Sequence, residues 1–286
     1  MNKLLITVSW MVIFLSMTHS PVRGQLNGDT YQEAKSAGYA TWTLTYAEAP
    51  GFAAETEKGI SGITIDIMEK FREYVQEKEK IKIALKFEAQ DPGNFTLFLD
   101  QVKTSSGGVF GLSNTTITED RKKSYAFSPP YITNISMILT RNSVRTLMDI
   151  EDIAQSFKGM TAVTVKNSTN EKRILEIKNQ YYPALTLEYV PSFREAMDMV
   201  LSNPKKFTHL DFTYYFDAIQ SRQPVKRHPA GDDRTEEFGI IMPKNNDWAP
   251  LLAEFMSSGF LNSMEYKEII TRHLGKSAVS FFDSLK

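Results

Sequence analysis

The sequence predicts an α/β fold with mostly parallel sheets. Strand-like and helix-like patterns alternate along the chain, two of the helix starts carry an S-x-x-E capping box, and no internal repeat or low-complexity segment interrupts the alternation. Alternating polar and apolar residues indicate a strand, and apolar residues three and four positions apart indicate one face of a helix. Repeated strand–helix–strand order is typical of α/β units.

In the first half of the chain, strands and helices alternate. Residues 39–47 ("YATWTLTYA") have the polar–apolar alternation of a strand, and residues 63–75 place their apolar side chains on one helix face. Residues 82–89 form the next alternating strand, residues 95–103 a short helix, and "SGGVFGLSNTT" at 106–116 a buried strand.

The second half continues the same order. Ser168 with Glu171 and Ser192 with Glu195 fit the capping box, which places helix starts there. Strands are predicted at 135–142, 160–166, 185–190, 208–215 ("THLDFTYY") and 238–244. Helices or helical turns are predicted at 148–159, 168–179, 193–202, 248–256 and 263–275, and a polar loop ("RHPAGDDRTEE") at 227–237.

Composition excludes several classes of protein. Apolar residues make up 42% and charged residues 23% of 286 residues, which is typical of a globular protein with room for two domains. The net charge is -1 and no long basic run occurs, which argues against nucleic-acid binding. The absence of cysteine excludes disulfides, thiolate metal sites and cysteine nucleophiles. No metal or cofactor motif occurs, so we expect neither metal nor cofactor and no catalytic residues.

Residues 1–24 have the pattern of a secretory signal peptide. Lys3 precedes an apolar stretch from Leu4 to Met17, and the small residues Val22 and Gly24 predict cleavage after Gly24. A retained membrane anchor is the alternative. An exported protein without cysteine is expected in a bacterial periplasm.

The segment "NTTITEDRKKSYAFSPPY" at 114–131 is the main candidate for function. Hydroxyl side chains ahead of a helix cap its free amides, and a helix N-terminus favours an anion. Arg121 adds a planar guanidinium suited to a carboxylate or phosphate. In the alternative interpretation the turn is a solvated cap whose arginine pairs with Glu119 or Asp120.

This segment resembles the "T-I-T-x-x-R … F-S-x-P-Y" motif of the bacterial family-3 extracellular solute-binding proteins, the periplasmic receptors of amino-acid ABC importers. "GISGITIDIMEKF", "LMDIEDIAQSFKGMTAVTVKNSTNEKRI", "EEFGIIMPKNNDWAPLL" and "SGFLNSMEYKEIITRHLG" are similar to further segments of that family, in the family's order. The resemblance covers nearly all of the chain after residue 24.

The resemblance implies a type II periplasmic-binding-protein-like fold, a two-lobed α/β clamp with discontinuous lobes joined by two hinge strands. The implied division is residues 1–24 as signal peptide, residues 25–132 plus 237–286 as lobe 1, and residues 133–236 as lobe 2 with the hinge strands.

The resemblance also implies the ligand contacts. Arg121 and Thr116 would bind the α-carboxylate, and the backbone of Asn114 would meet the α-amino group. From the second lobe, the turn with Thr169 and Asn170 would contact the same carboxylate, although Ser168 replaces the usual glycine there.

Four further residues complete the implied site. Asp211 would accept from the α-ammonium, with a solvent-facing aspartate at a strand end as the alternative. Phe95 would stack over the ligand, unless it belongs to the core. Tyr46 and Glu48 lie at the family's first-strand contacts, and a cleft-facing Glu48 would favour a cationic ligand side chain, whereas a solvated loop position is the alternative.

The implied function is a periplasmic, non-enzymatic solute-binding protein that delivers a small polar ligand, most simply an amino acid, to an inner-membrane ABC permease. We expect it to be a monomer. Two alternatives stay open: an exported cyclohexadienyl or arogenate dehydratase-like enzyme on the same fold, and a sensory ligand-binding module.

Overall fold

The computed structural model of the protein describes residues 25–283. Its α-helices are α1 (Tyr31–Ala37), α2 (Ile63–Glu79), α3 (Phe95–Thr104), α4 (Glu119–Ser124), α5 (Ile153–Ser156), α6 (Thr169–Gln180), α7 (Phe193–Ser202), α8 (Phe212–Gln220), α9 (Ala249–Ser257) and α10 (Met264–Asp283, kinked at Gly275). Its strands are β1 (Tyr39–Tyr46), β2 (Ala54–Thr56), β3 (Gly59–Ser61), β4 (Lys82–Phe87), β5 (Val109–Leu112), β6 (Tyr125–Phe127), β7 (Ile132–Thr133), β8 (Ser136–Arg141), β9 (Thr161–Val165), β10 (Thr186–Val190), β11 (Lys206–Asp211), β12 (Val225–Asp233), β13 (Glu237–Phe238) and β14 (Ile241–Pro243).

The first lobe is built on a five-stranded sheet in the order β4-β1-β5-β14-β6. β1 pairs in parallel with β4 and β5, whereas β14 is antiparallel to β5 and β6. Trp42 of β1 stacks on Phe71 of α2 at 4.8 Å between ring centroids and meets Trp248 edge-on at 5.1 Å. Because Trp248 comes from the end of the chain, this core joins an early and a late segment.

The second lobe contains a sheet in the order β10-β9-β11-β8-β12. β9 is parallel to β10 and β11, and β8 is antiparallel to β11 and β12. Its separate core includes Phe157, whose ring lies 5.1 Å from that of Phe207 and 5.1 Å from that of His228.

Two chain crossings join the lobes. β7 and β13 pair antiparallel as a short sheet of their own, and the amide of Asn134 donates to the carbonyl of Glu236 at 2.8 Å beside it. The predicted clamp of two discontinuous lobes is therefore confirmed. The residue boundaries proposed for the lobes stay a prediction, as does the signal peptide at residues 1–24, which lies outside the described residues. Within residues 25–283, no helix is both long and apolar enough to cross a membrane.

The capping residues begin their helices as predicted. Ser168 accepts a hydrogen bond from the amide of Glu171 at 3.0 Å, and Ser192 accepts one from the amide of Glu195 at 3.1 Å. The carboxylate of Glu171 in turn accepts a hydrogen bond from the amide of Asn167 at 2.7 Å. These bonds satisfy amides at each helix start that have no partner within the helix.

Two element predictions are wrong. The segment 208–215 is not one strand, because β11 ends at Asp211 and α8 begins at Phe212. Phe212 and Tyr214 are buried on α8. Aromatic residues are typical of strands, but here tertiary packing places these two residues on a helix. The polar segment 227–237 is not a loop, because most of it belongs to β12, an edge strand whose side chains are mostly half-buried.

Candidate ligand cleft

Arg121 lies on the short helix α4 and forms no ion pair with its acidic neighbours. Glu119 and Asp120 instead pair with Lys122 and Lys123, each at 2.7 Å on the exposed side of the turn. The alternative in which Arg121 pairs with either acid is therefore wrong. Because the two lysines neutralise these acids, the Arg121 guanidinium is available for a different partner.

The guanidinium of Arg121 is partly buried against lobe 1. Its Nη1 donates to the carbonyl of Thr116 at 2.9 Å, and its Cζ lies 5.4 Å from the ring centroid of Phe95. Burial lowers the pKa of Arg121, while the charge of Glu236 acts in the opposite direction. No carboxylate among the described residues lies within ion-pair distance of it. A partly desolvated arginine of this kind has N–H donors available for a planar anion.

Asp211 provides the opposite charge, from the second lobe. It ends β11 with only 4% of its surface exposed, and its carboxylate accepts from Asn114 Nδ2 at 2.5 Å and from Asn134 Nδ2 at 2.8 Å. Burial, followed by the charge of Glu236, raises the pKa of Asp211 to about 7, whereas hydrogen bonds from Asn134 and Asn170 lower it. The solvent-facing alternative for Asp211 is therefore wrong.

The structure places the side chain of Asn114, rather than only its backbone, in the site. Asn114 is buried in lobe 1, so its bond to Asp211 spans the two lobes. A second bond across the cleft joins the hydroxyls of Thr116 and Thr169 at 3.3 Å. Two of the predicted residues thus contact two others across the cleft.

The turn before α6 has ordinary geometry at Ser168. Ser168 has φ −88° and ψ 160°, and the left-handed conformation falls on Asn167, with φ 63°. A side chain at position 168 is therefore accommodated without backbone strain. Asn170 is buried one residue after Thr169, where its Oδ1 lies 3.3 Å from His209 Nδ1.

Aromatic rings line the cleft from both lobes. Phe95 of α3 is buried, and its ring centroid lies 5.3 Å from that of Phe193 of α7, which in turn lies 5.8 Å from Tyr214. Tyr46 is also buried at the end of β1, and burial raises the pKa of its hydroxyl. Of these rings, Phe95 lies beside the Arg121 guanidinium, so the aromatic cluster begins next to that charge.

Glu48 has a cationic partner from the chain itself. Its Oε1 accepts from Arg194 Nε at 3.1 Å across the cleft, and Arg194 also lies 3.8 Å from Asp217. The backbone carbonyl of Glu48 accepts from Tyr214 Oη at 3.4 Å. Neither predicted alternative describes Glu48 fully, because it faces the second lobe but its charge is already balanced by Arg194.

A cavity of about 350 Å³ lies between the lobes. The N-terminal turn of α3 lines one side, and the ends of β9 and β10 line the other. Thr96 Oγ1 donates to the carbonyl of Lys166 at 3.3 Å across this space. A second cavity, of about 370 Å³, is lined mainly by side chains of α7 and α8. Neither cavity is lined by a predicted ligand contact. No group of histidine, aspartate or glutamate side chains in the described part of the chain could hold a metal ion.

Residues 43–276 match the family model of the bacterial extracellular solute-binding proteins, family 3. The chain belongs to this family. The match spans both lobes and both chain crossings, and it agrees with the resemblance found in the sequence motifs.

Solved structures share the fold of this family-3 protein. The arginine-, lysine-, histidine-binding protein ArtJ from Geobacillus stearothermophilus superposes with a TM-score of 0.66 and 18% identity, covering 82% of this chain and 96% of that one. The ancestral amino-acid-binding protein AncCDT-1, a precursor of cyclohexadienyl dehydratase, gives 0.64 and 18%, covering 85% and 98%. At these identities the similarity shows the fold alone.

A curated relative is the membrane-bound lytic murein transglycosylase F of Saccharophagus degradans, which is 25% identical over 179 residues. The matched region is 62% of this family-3 chain and 33% of that protein. The chain therefore spans about a third of the relative's length.

Several residues of the cleft were not predicted from the sequence. They share positions at chain crossings or at the lobe interface, and they are Asn134, Phe193, Arg194, Tyr214 and Glu236. Phe193 directly follows Ser192, whose capping box predicts the start of α7 but does not predict that this start lies at the cleft. Glu236 stands in an acidic polar run that gives no sign of its burial.

Proposed function

We propose that this protein captures an amino acid between its lobes and presents it to an inner-membrane ABC permease, without catalysing a reaction. The observation that supports this most is Arg121, a partly buried cation with no ion-pair partner among the described residues. A buried charge is costly unless it is paired, so a ligand carboxylate would be favoured at this position.

The two ends of the cleft have the charges that an α-amino acid requires. Arg121 in lobe 1 would bind the carboxylate, with Thr116 and Thr169 beside it, and Asp211 in lobe 2 would bind the ammonium. The aromatic wall of Phe95 would contact the ligand's apolar part. A ligand held from both lobes stabilises the closed form through contacts that the open form lacks.

Unsatisfied polar atoms support a polar ligand at the same place. Three buried atoms without a hydrogen-bond partner belong to residues next to the predicted contacts: Thr115 Oγ1 by sequence, Ser136 Oγ by strand register with Asp211, and Asn134 Oδ1 through the bond from Asn134 Nδ2 to Asp211. Buried polar groups normally have a partner, and leaving one unpaired is costly.

A thermal-shift panel on the processed, exported protein would test this function. The panel contains the common amino acids, short polyamines and prephenate. A ligand at one hundred times its dissociation constant adds about 2.7 kcal/mol of stability, which corresponds to roughly 5–10 °C for a chain of this size. Arg121→Ala should abolish the shift, and Lys122→Ala, an exposed neighbour, should keep it. A ligand shift of equal size in both variants would contradict the assignment.

The remaining parts of the proposal follow the family. Export would remove residues 1–24 and release a periplasmic monomer, with lobe boundaries at residues 132–133 and 236–237. Closing of the lobes around the ligand would create the surface that the permease recognises.

A second candidate function is an exported cyclohexadienyl or arogenate dehydratase. One observation favours it: Asp211 is a buried carboxyl with a pKa raised to about 7, and a group of this kind can transfer a proton at neutral pH. Formation of phenylpyruvate from prephenate, or of phenylalanine from arogenate, would identify this enzyme, and loss of product with Asp211→Asn would assign the group.

A further inference from the structure

A second carboxylate lies beside Asp211. Glu236 comes from the second chain crossing, is 8% exposed, and accepts from Asn134 Nδ2 at 2.9 Å. The same Nδ2 donates to Asp211 Oδ1 at 2.8 Å, so one amide group bridges the two acids. Asn134 itself is fully buried. Two carboxylates are thus held close together in a poorly solvated place at the hinge.

The surroundings do not neutralise this pair fully. Neither carboxylate forms an ion pair with a cationic side chain in the part of the chain that the structure describes. The charged and titratable groups that act on the pair are Arg121 of α4, Arg173 of α6, Tyr131 before β7 and Tyr214 of α8, and His209 lies two residues before Asp211 on β11.

Only one of these groups is a cation without a carboxylate partner. Arg173 already pairs with Glu176 at 2.9 Å and with Asp233. Burial lowers the pKa of His209 to about 4, so its ring is neutral near pH 7. Two ionised acids would therefore face one distant guanidinium, that of Arg121. Two close carboxylates in a buried site do not both ionise readily.

We propose that Glu236 is a further residue of the ligand site, and that it shares one proton with Asp211. The site then presents one negative charge when this proton is bound and two when it has left for solvent. This inference rests on the proposed function only in taking the Asp211 region as the ligand's ammonium subsite.

The shared proton has a consequence for the charge of the ligand. With the proton bound, the pair and Arg121 sum to zero, which suits a zwitterion of zero net charge. After the proton leaves, the sum is −1, which suits a ligand with net charge +1 that carries a carboxylate and two cationic groups. Rising pH should thus favour a cationic ligand over a neutral one.

Carbon-13 NMR of protein with labelled aspartate and glutamate carboxyls would test the pair without any ligand. One carboxyl should titrate near pH 7 in the wild-type protein, and Glu236→Gln should lower that pKa by about one pH unit or more, because the amide keeps the acceptor for Asn134 but carries no charge. Glu237→Gln, an exposed neighbour, should change nothing. Asp211→Asn provides a second route to the same readout, since it should remove the neutral-range titration.

Absence of any carboxyl titrating between about pH 5.5 and 8.5 in the wild-type protein would overturn the proposal, and so would an unchanged pKa in Glu236→Gln. Calorimetry with L-lysine and L-glutamine at pH 5.5 and 7.5 measures the consequence. Affinity for L-lysine should rise by about tenfold or more relative to L-glutamine over this range, and Glu236→Gln should abolish the rise. If neither amino acid binds but the carboxyl titrates as expected, the amino-acid function loses support while the pair stands. If one binds and no such carboxyl is found, the pair fails and the function stands.

Discussion

Asp211 should make the stability of the protein depend on pH in a direction opposite to that of most acids. Its pKa in the folded protein is about 7, above the ordinary aspartate value of 3.8. The folded state therefore holds this proton more tightly than the unfolded state does, and ionisation disfavours folding. This group's contribution is most favourable below pH 3.8 and is lost progressively as pH rises to about 7.

The size of the effect follows from the pKa shift. Each pKa unit corresponds to about 1.36 kcal/mol, so a rise of about three units gives a loss of about 4 kcal/mol between pH 4 and pH 7. Asp211→Asn removes this titration. Relative to wild type, the variant should gain about 4 kcal/mol in free energy of unfolding as pH rises from 4 to 8.

Urea unfolding of both proteins at several pH values would measure this difference. Titrating groups that do not contact Asp211, including buried His228, are common to the two proteins and cancel in it. Asp198→Asn, which changes an exposed carboxylate of α7, is the control and should give a difference near zero at every pH. If the difference in free energy of unfolding between wild type and Asp211→Asn does not change with pH over this range, Asp211 is not a buried acid with a raised pKa.

Three further outcomes are expected. Burial lowers the pKa of His228 to about 4, so the contribution of this residue to stability should be lost as pH drops from 6.5 toward 4, and His228→Gln should become more stable relative to wild type over that range in the same urea experiment; a constant difference between the two proteins would contradict this. A double-mutant cycle with Phe95→Leu and Phe193→Leu should give a coupling of about 1 kcal/mol in unfolding free energy, because the rings touch across the lobes, whereas additive losses would indicate no contact. Reversing the charge of either Glu48 or Arg194 should weaken lobe closure by at most about 1 kcal/mol, and swapping both should restore it, as read from the inter-lobe distance by fluorescence energy transfer; the swap's failure to restore closure would argue against the ion pair.

The fold could be predicted where local pattern and tertiary environment agree. β1 alternates as a strand should, α2 places its apolar residues on one face, and Ser168 caps α6. The prediction failed where tertiary context overrides the local pattern. Phe212 begins a helix although its segment is rich in strand-forming aromatics. β12 is a strand although its sequence is polar, because its backbone pairs with β8 at the edge of the sheet and most of its side chains are only half-buried there.

The site could be predicted in part, because its motif residues are contiguous. Arg121 and Thr116 stand five positions apart in one segment, and the arginine's Nη1 donates to the threonine's carbonyl. The partners contributed by remote segments could not be predicted. Glu236 meets Asp211 only because Asn134 and Glu236 come side by side where the chain crosses between lobes, and no local pattern encodes that proximity.

In the proposed function, Arg121 and Asp211 hold the two charged ends of one amino acid between the lobes. A crystal structure of the processed protein with the amino acid that gives the largest thermal shift tests it most directly. We expect the ligand carboxylate at about 3 Å from the Arg121 guanidinium and the ammonium at about 3 Å from the Asp211 carboxylate. A ligand bound elsewhere, or one that leaves Arg121 without an anionic partner, would show that these residues do not form the ligand site.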